Sequence, residues 1–261
     1  MQLGLEGRVA LVTGASEGIG AGIALALAQE GVDVAICARR PGPLEETAAR
    51  IRAATGRRIE AIAVDLSTDE GCKTFVATTQ ARLGRIDILV NNAGSAPMMP
   101  FTEMSDATFV GAYEGKLFAA VRCCRAAIGP MRARGGGVIL NITGATLQAV
   151  PLHAAGGSAN AALRMFSKTL SLELAPYNIR VNSVAPGRIR TERLQRTFAA
   201  EAAAAGTTPE AIAAKSVAGI PSGRLGEVGD IAQTICFLAS DAAAYINGTA
   251  ITVDGGKALL I

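Results

Sequence analysis

Short apolar segments alternate along the chain with longer segments that have the periodicity of a helix. Most of the short segments are apolar throughout, which is typical of parallel strands covered by helices on both faces. This repeated β-α-β order predicts a single-domain α/β fold, a Rossmann-like, doubly wound parallel sheet of about seven strands. The predicted strands are RVALVT (8–13), VDVAICA (32–38), IEAIAV (59–64), IDILV (86–90), GVILNI (137–142), IRVNSV (179–184) and AITV (250–253).

Four segments between these strands place apolar residues three and four positions apart, as amphipathic helices do. Residues 191–222 interrupt the alternation, because they are rich in alanine and contain GTTP at 206–209. We expect one domain over residues 1–261, with 191–222 as a helical insertion of two helices that covers the substrate site like a lid. The four predicted helices are 19–31, 44–55, 71–84 and 231–240.

Composition narrows the possible partners and the location. A formal net charge of +3 on 261 residues is too small and too dispersed to indicate nucleic acid as the main ligand. The first residues lack the pattern of a signal peptide, and no apolar run approaches the roughly 18 residues of a membrane span. We therefore expect a cytoplasmic protein with a small-molecule substrate and no membrane partner.

The cysteines do not indicate a metal site. No two of the five cysteines form a CxxC pair, and the chain has a single histidine. We expect free, buried thiols in a reducing compartment and no bound metal. The five residues are Cys37, Cys72, Cys123, Cys124 and Cys236.

A glycine-rich turn, TGASEGIG (13–20), follows the first predicted strand and opens the first long helix. Gly14, Gly18 and Gly20 allow a tight turn and a close approach of the backbone to a ligand. The N–H groups and the positive dipole end of the helix behind the turn favour phosphate oxygens. In this strand–turn–helix context the glycines predict a nucleotide site.

The TGxxxGxG spacing of this turn resembles that of the short-chain dehydrogenase/reductase family. Further family-like motifs follow in order at VDL (64–66), NNAG (91–94), RVNSVAPGRIRT (180–191) and DGG (254–256). The resemblance implies that Asp65 contacts adenine and that the turn at 186–191 meets the nicotinamide carboxamide. The cofactor-binding residues that it implies are Gly14, Ser16, Gly18, Ile19, Gly20, Asp65, Leu66, Asn92, Ala93, Gly94, Pro186, Gly187, Ile189 and Thr191.

The end of the second strand indicates which dinucleotide binds. NAD-specific sites place an acidic residue at this end, where it bonds the ribose 2′-hydroxyl. Here the strand ends in Arg39 and Arg40, and Asp33 stands at its other end. Because a guanidinium pairs well with a phosphate, Arg39 favours NADP over NAD.

The same resemblance implies a catalytic group of asparagine, serine, tyrosine and lysine, which this chain does not reproduce. Alignment from KTLSLELAPYNIRVN (168–182) places the tyrosine position on Gly156 and the lysine position on Asn160. The serine position falls on Thr143 or Gly144, and the asparagine position on Lys116. Positioned acid–base catalysis contributes about 10²–10⁴-fold, so the loss is heavy unless another group donates the proton.

Four residues are candidates for the altered site. Lys116 places a lysine on the facing helix, whereas the family's lysine position, 160, is an asparagine here. Thr143 retains a hydroxyl group at or next to the serine position. His153 is the only histidine and titrates near neutrality, and Asn160 keeps a polar group at the lysine position. Tyr113 is a weaker candidate.

Two features of the neighbouring segments allow more than one interpretation. GRIRTERLQR (187–196) carries four arginines, which form either a solvated helix face or a site for an acidic substrate or the cofactor phosphates. The substrate pocket is expected between 95–101, 147–155 and 187–222. The resemblance also implies a homotetramer that pairs through helices at about 103–131 and 155–175.

These observations favour an NADP-dependent oxidoreductase acting on a carbonyl or alcohol, in which Lys116 and Thr143 replace the usual residues. Two alternatives stay open. One is a non-redox enzyme on the same fold, such as a dehydratase, an isomerase or a cyclase. The other is a nucleotide-binding pseudoenzyme.

Overall fold

The computed structural model describes residues 3–144 and 150–258. Its strands form one parallel sheet, in which each strand is covered by helices. The strands are β1 (Val9–Thr13), β2 (Asp33–Ala38), β3 (Ile59–Ala63), β4 (Ile88–Asn91), β5 (Gly137–Ile142), β6 (Ile179–Pro186) and β7 (Ala250–Val253). Their order is β3-β2-β1-β4-β5-β6-β7, which confirms the predicted seven-stranded Rossmann-like sheet.

The helices connect successive strands, and two of them form the inserted segment. The helices are α1 (Gly18–Gln29), α2 (Pro41–Thr55), α3 (Asp69–Leu83), α4 (Asp106–Tyr113), α5 (Ala119–Ala133), α6 (Ala154–Leu174), α7 (Glu192–Ala205), α8 (Pro209–Ala218) and α9 (Val228–Ala239). A π-helical turn, Glu114–Phe118, joins α4 to α5. None of the described helices is long and apolar enough to cross a membrane.

The sheet separates two apolar layers, and β1 shows why most of the strand residues are apolar. Ala10 and Val12 face the layer formed with α1, α2 and α9. Val9 and Leu11 face the other layer, which includes residues of α3, α5 and α6. Because successive side chains of a strand point to opposite faces, a strand buried on both faces exposes almost no side chain to solvent.

Most element boundaries agree with the sequence prediction to within a few residues. The clearest difference is the helix predicted at about 103–131, which is instead α4, the π-helical turn and α5. A π-turn inserts an extra residue into the helix, and hydropathy patterns do not show such an insertion. Strand β6 also continues to Pro186, two residues further than predicted, because it pairs with β7 up to Val253.

The inserted segment is helical, as predicted for 191–222. Phe198, Ile220 and Leu225 form a small apolar cluster of their own, apart from the two large layers. A single bridge between Ile189 and Gly226 closes the base of the insertion. Within the loop predicted to line the pocket at 147–155, residues 147–149 lie outside the described residues.

The strand order places the functional site. The chain passes from β3 at one edge to β4 on the other side of β1, so the direction of winding reverses between β1 and β4. In open parallel sheets the crevice at the carboxyl ends of such strands is where ligands bind. The glycine turn after β1 and the NNAG segment at the end of β4 meet at this crevice.

Candidate functional site

The glycine turn is held tightly against the end of β4. Gly14 has a φ of +64°, and a Cβ at this position would lie 2.9 Å from the Cα of Ala93. A Cβ on Gly20 would lie 2.5 Å from Nδ2 of Asn92. That amide donates hydrogen bonds to the carbonyl oxygens of Thr13, at 3.0 Å, and of Gly14, at 2.9 Å. The two glycines are therefore required by close packing as well as by the turn.

The first turn of α1 presents backbone N–H groups to the crevice. Its N-cap residue, Glu17, makes no side-chain capping hydrogen bond. The Glu17 carboxylate is exposed and pairs with Arg196 at 3.1 Å, which offsets its negative charge beside the turn. Uncapped N–H groups at a helix start are donors for an anion.

A cavity of about 690 Å³ extends from the glycine turn across the ends of β2 and β3. We call it the outer cavity. Arg39, Arg40, Asp65 and Leu66 line it. The backbone N–H of Ser67 donates to Asp65 at 3.0 Å, and this bond, with a smaller contribution from the charge of Arg39, lowers the pKa of Asp65. Asp65 is therefore an acceptor at the wall of the outer cavity.

The carboxyl end of β2 is positively charged. Arg39 and Arg40 are exposed and make no ion pair with any described residue. Asp33 lies at the opposite end of the strand, where its carboxylate pairs with Arg57 at 2.8 Å. The outer cavity thus offers guanidinium groups at the position where an acidic residue would bind a ribose hydroxyl.

A second cavity, of about 310 Å³, lies at the ends of β4, β5 and β6 and is bordered by the π-helical turn, α6 and α7. We call it the inner cavity. It contains all four predicted catalytic residues, namely Lys116, Thr143, His153 and Asn160, together with Gly156. Gly94 lines both cavities and joins them.

Lys116 projects into the inner cavity from the π-helical turn. Its stem packs on Gly94, where an added Cβ would lie 2.5 Å from Cδ of the lysine. Burial of the ammonium group and, to a lesser extent, the positive charge of Arg193 lower the pKa of Lys116 from 10.5 to about 8. No carboxylate among the described residues forms an ion pair with it. At neutral pH the group is a protonated amine that gives up its proton readily.

His153 occupies the space beside Gly156. A Cβ on Gly156 would lie 2.5 Å from Nε2 of His153 and 2.9 Å from Cβ of Ala96. The imidazole therefore fills the volume that a side chain at position 156 would enter. Its Nδ1 is buried and has no hydrogen-bond partner in the described structure. Burial, followed by the charges of Arg193 and Lys116, lowers the pKa of His153 from its ordinary value and so favours the neutral ring.

Thr143 and Asn160 place polar atoms at the floor of the inner cavity. The Thr143 side chain is 2% exposed, and its hydroxyl lies a long 3.4 Å from the carbonyl oxygen of Val184. Asn160 is 6% exposed, and its Oδ1 has no partner among the described groups. A buried polar atom without a partner costs free energy unless a water or a ligand satisfies it.

The four arginines of 187–196 divide into two pairs, so the interpretation of the segment as one solvated face is correct only in part. Arg190 pairs with Glu227 at 2.9 Å, and Arg196 pairs with Glu17. Arg188 and Arg193 line the inner cavity.

No tyrosine is among the described residues that line the inner cavity. Tyr113, the weaker candidate, instead stacks on Phe109 with ring centroids 5.3 Å apart. Tyr177 packs under the guanidinium of Arg132, and Tyr245 is fully exposed.

Most of the predicted cofactor residues line one of the cavities. The outer cavity takes Gly14, Ser16, Arg39, Asp65, Leu66, Ala93 and Gly94; the inner cavity takes Ile19, Asn92, Gly94, Pro186, Gly187, Ile189 and Thr191. Gly18 and Gly20 line neither cavity and lie in the first turn of α1. The sequence analysis missed Gly111 and Gly115, which also line the outer cavity. These two glycines are four residues apart and so lie on one face of a helix, and this spacing could have indicated a position of close approach.

A seven-stranded parallel sheet with a glycine turn at its switch point defines a Rossmann-type α/β protein. Residues 14–258 match the family model described as enoyl-(acyl carrier protein) reductase. Relatives that are more than 30% identical over nearly the whole chain agree with this match, and the two findings together establish family membership. The chain belongs to the short-chain dehydrogenase/reductase family.

Three proteins illustrate the similarity. L-Sorbose reductase from Gluconobacter frateurii, whose crystal structure is complexed with NADPH and L-sorbose, is 35% identical with a TM-score of 0.96 and full coverage of both chains. The 7alpha-hydroxysteroid dehydrogenase of Escherichia coli (strain K12) is 33% identical over 255 residues, 97% of this chain and 95% of that protein. NAD+-bound xylitol dehydrogenase is 28% identical with a TM-score of 0.91, over 97% of this chain and 100% of that one.

Proposed function

We propose that this protein is an NADP-dependent oxidoreductase that interconverts a carbonyl and an alcohol on a small molecule. The observation that carries the proposal is the pair of cavities joined at Gly94, one lined by unpaired arginines and the other by Lys116, Thr143, His153 and Asn160. The similarity to an NADPH-complexed sugar reductase supports the same reaction class.

The described residues fit NADP. The glycine turn and the first N–H groups of α1 suit the pyrophosphate, because a Cβ at Gly14 or Gly20 would clash. Arg39 would hold the 2′-phosphate, Asp65 would face the adenine, and residues 186–191 would border the nicotinamide. When bound, the nicotinamide supplies or accepts the hydride. An NAD+-bound relative makes NAD the competing cofactor, which Arg39 disfavours.

We propose that the catalytic group is altered, with Gly156 and Asn160 at the usual tyrosine and lysine positions. The Thr143 hydroxyl turns from the carbonyl of Val184 and donates a hydrogen bond to the substrate carbonyl oxygen. Lys116 donates a proton to that oxygen as the carbonyl carbon gains a hydride, and the product is the alcohol. The neutral amine then regains a proton from water at the cavity mouth.

His153 and Asn160 position the substrate in the inner cavity. The imidazole closes the cavity above Gly156, so it limits the space available to the carbon skeleton. The free Oδ1 of Asn160 accepts a hydrogen bond from a substrate hydroxyl or from an ordered water. We propose that α7 and α8, in the 191–222 insertion, cover the cavity as a lid when substrate binds.

The test is stopped-flow oxidation of NADPH with a panel of ketones and aldehydes. Lys116→Met should lower kcat by about 10²–10⁴-fold, the usual contribution of a positioned acid, and leave the Kd for NADPH unchanged. Lys215→Met, at an exposed lysine outside both cavities, is the matched control. Tight NADPH binding without turnover of any compound would overturn the redox role and favour a pseudoenzyme.

We also propose a cytoplasmic homotetramer that pairs through α4, α5 and α6. Met165 and Leu172 of α6 are 68% and 67% exposed, and burial of such side chains at a subunit interface is favourable. Light scattering coupled to gel filtration measures the assembly. A monomer at micromolar concentration would refute it.

A further inference from the structure

We infer that the substrate of the inner cavity carries a carboxylate, held by Arg193, so that the protein acts on a short oxo acid or the corresponding hydroxy acid. The inference rests on the proposed function and names its substrate class. Its first support is charge: the described lining of the inner cavity includes Lys116, Arg188 and Arg193 but no aspartate or glutamate. Of these, Lys116 and Arg193 have no carboxylate partner among the described residues, and such cations attract an anion.

The partners of the neighbouring arginines single out Arg193. Arg188 has Glu201 at 3.7 Å, Arg190 has Glu227, and Arg196 has Glu17. Arg193 has no carboxylate partner in the described structure, and its one hydrogen bond is a long 3.4 Å contact from Nη1 to the carbonyl oxygen of Gly94. Its guanidinium therefore keeps nearly all its donors for a ligand.

The position of Arg193 separates it from the cofactor site. Arg39 and Arg40 line the outer cavity, which Arg193 does not border. Arg193 lies instead on α7 at the edge of the inner cavity. The charges are thus divided, with one pair of arginines for nucleotide phosphates and Arg193 for the second molecule.

The contacts of Gly94 indicate that Lys116 and Arg193 lie close together, which limits the length of the substrate. The stem of Lys116 packs on this glycine, and Arg193 donates to its carbonyl oxygen. A carboxylate on Arg193 and a reacting oxygen beside Lys116 are therefore separated by a short carbon chain. A carboxylate there would also offset the repulsion between the two cations, which is otherwise uncompensated.

The first experiment measures NADPH oxidation with 2-oxobutanoate and 4-oxopentanoate against their methyl esters, which have the same carbonyl without the charge. We expect kcat/KM to favour the acids by about tenfold to a hundredfold, the range of a charge-assisted hydrogen bond. Arg193→Gln should remove this preference through a higher KM for the acids, so that acids and esters react with similar kcat/KM. Arg50→Gln, at an exposed arginine of α2 outside both cavities, is the control and should keep the preference.

A binding measurement gives a readout that needs no turnover. Calorimetric titration of butanoate into the protein with NADP+ present should detect binding that Arg193→Gln weakens about tenfold or more, while butanamide should not bind. An arginine that instead serves the cofactor would show weaker NADPH binding in Arg193→Gln and an unchanged acid preference. That result would overturn the inference.

The outcomes separate this inference from the proposed function. Turnover of the esters at the same kcat/KM as the acids would overturn the carboxylate assignment and leave the oxidoreductase intact. Butanoate binding that depends on Arg193, without turnover of any oxo compound, would overturn the redox function and support the anion site.

Discussion

Replacing Lys116 by methionine should abolish most of the activity and yet stabilise the protein. The pKa of this lysine falls from 10.5 to about 8 on folding, mainly because the ammonium group is buried. At about 1.4 kcal/mol per pKa unit, this difference corresponds to about 3 kcal/mol of lost stability when the amine is charged. Because the side chain is only partly buried, we expect Lys116→Met to gain about 1–2 kcal/mol at pH 7.

The pH dependence gives this prediction its sign. Below pH 8 the lysine is protonated in both folded and unfolded chains, so burial of the charged ammonium group lowers the stability of the folded protein by its full amount. Between about 8 and 10.5 only the unfolded chain is protonated, so stability of the wild type rises with pH and approaches that of the variant. The advantage of Lys116→Met should shrink to roughly half by pH 9.5.

Urea unfolding of the nucleotide-free protein at fixed protein concentration, at pH 7, 8, 9 and 9.5, measures the difference. Lys215→Met is the control, since that lysine is exposed, and should show no such trend. Methionine keeps the packing on Gly94, so no cavity is created. A variant that is less stable at pH 7, or whose advantage is the same at every pH, would refute the assignment of Lys116 as a buried cation.

Three further predictions concern the two cavities. The kcat/KM for carbonyl reduction should fall as pH rises above about 8, because Lys116, the proposed proton donor, loses its proton, and a flat profile to pH 9.5 would exclude Lys116 from that role. Arg39→Ala should weaken NADPH binding about tenfold to a hundredfold in a fluorescence titration with little effect on NADH. Gly156→Tyr with Asn160→Lys should destabilise the fold by about 1–3 kcal/mol, since His153 fills that space, and adding His153→Ala should restore urea stability.

The last two predictions have their own controls. Equal loss of NADPH and NADH binding in Arg39→Ala would mean that the arginine supports the loop and does not contact the 2′-phosphate. If the tyrosine and lysine pair gained ketone reduction after removal of His153, the native cavity would have abandoned redox chemistry. If activity instead stayed the same or fell, Lys116 would remain the working donor.

The fold could be predicted because it depends on local patterns. Strands β1 and β5 consist mostly of apolar residues since both of their faces are buried, and this burial is visible in the sequence. The glycine turn was equally visible, because Gly14 needs a positive φ that other residues rarely adopt. Arg39 follows directly from the end of β2, so its place in the outer cavity needed only the strand register.

The inner cavity depended on contacts between distant segments. The sequence suggested Lys116, Thr143, His153 and Asn160 as candidates, but no local pattern shows that an imidazole fills the space above Gly156. The π-helical turn that carries Lys116 leaves no mark on hydropathy, and the family resemblance implied a continuous helix there.

The same limit applies to the arginines of 187–196, which are equivalent as a sequence motif. Their ion partners are Glu17, Glu201 and Glu227, which come from other parts of the chain. The sequence by itself therefore determined the sheet, the phosphate turn and the charge at the end of β2, because each depends on neighbouring residues. Only the tertiary structure decided that Arg193 has no carboxylate partner among the described residues and that Lys116 is partly buried beside it, since both properties depend on which distant groups fold against them.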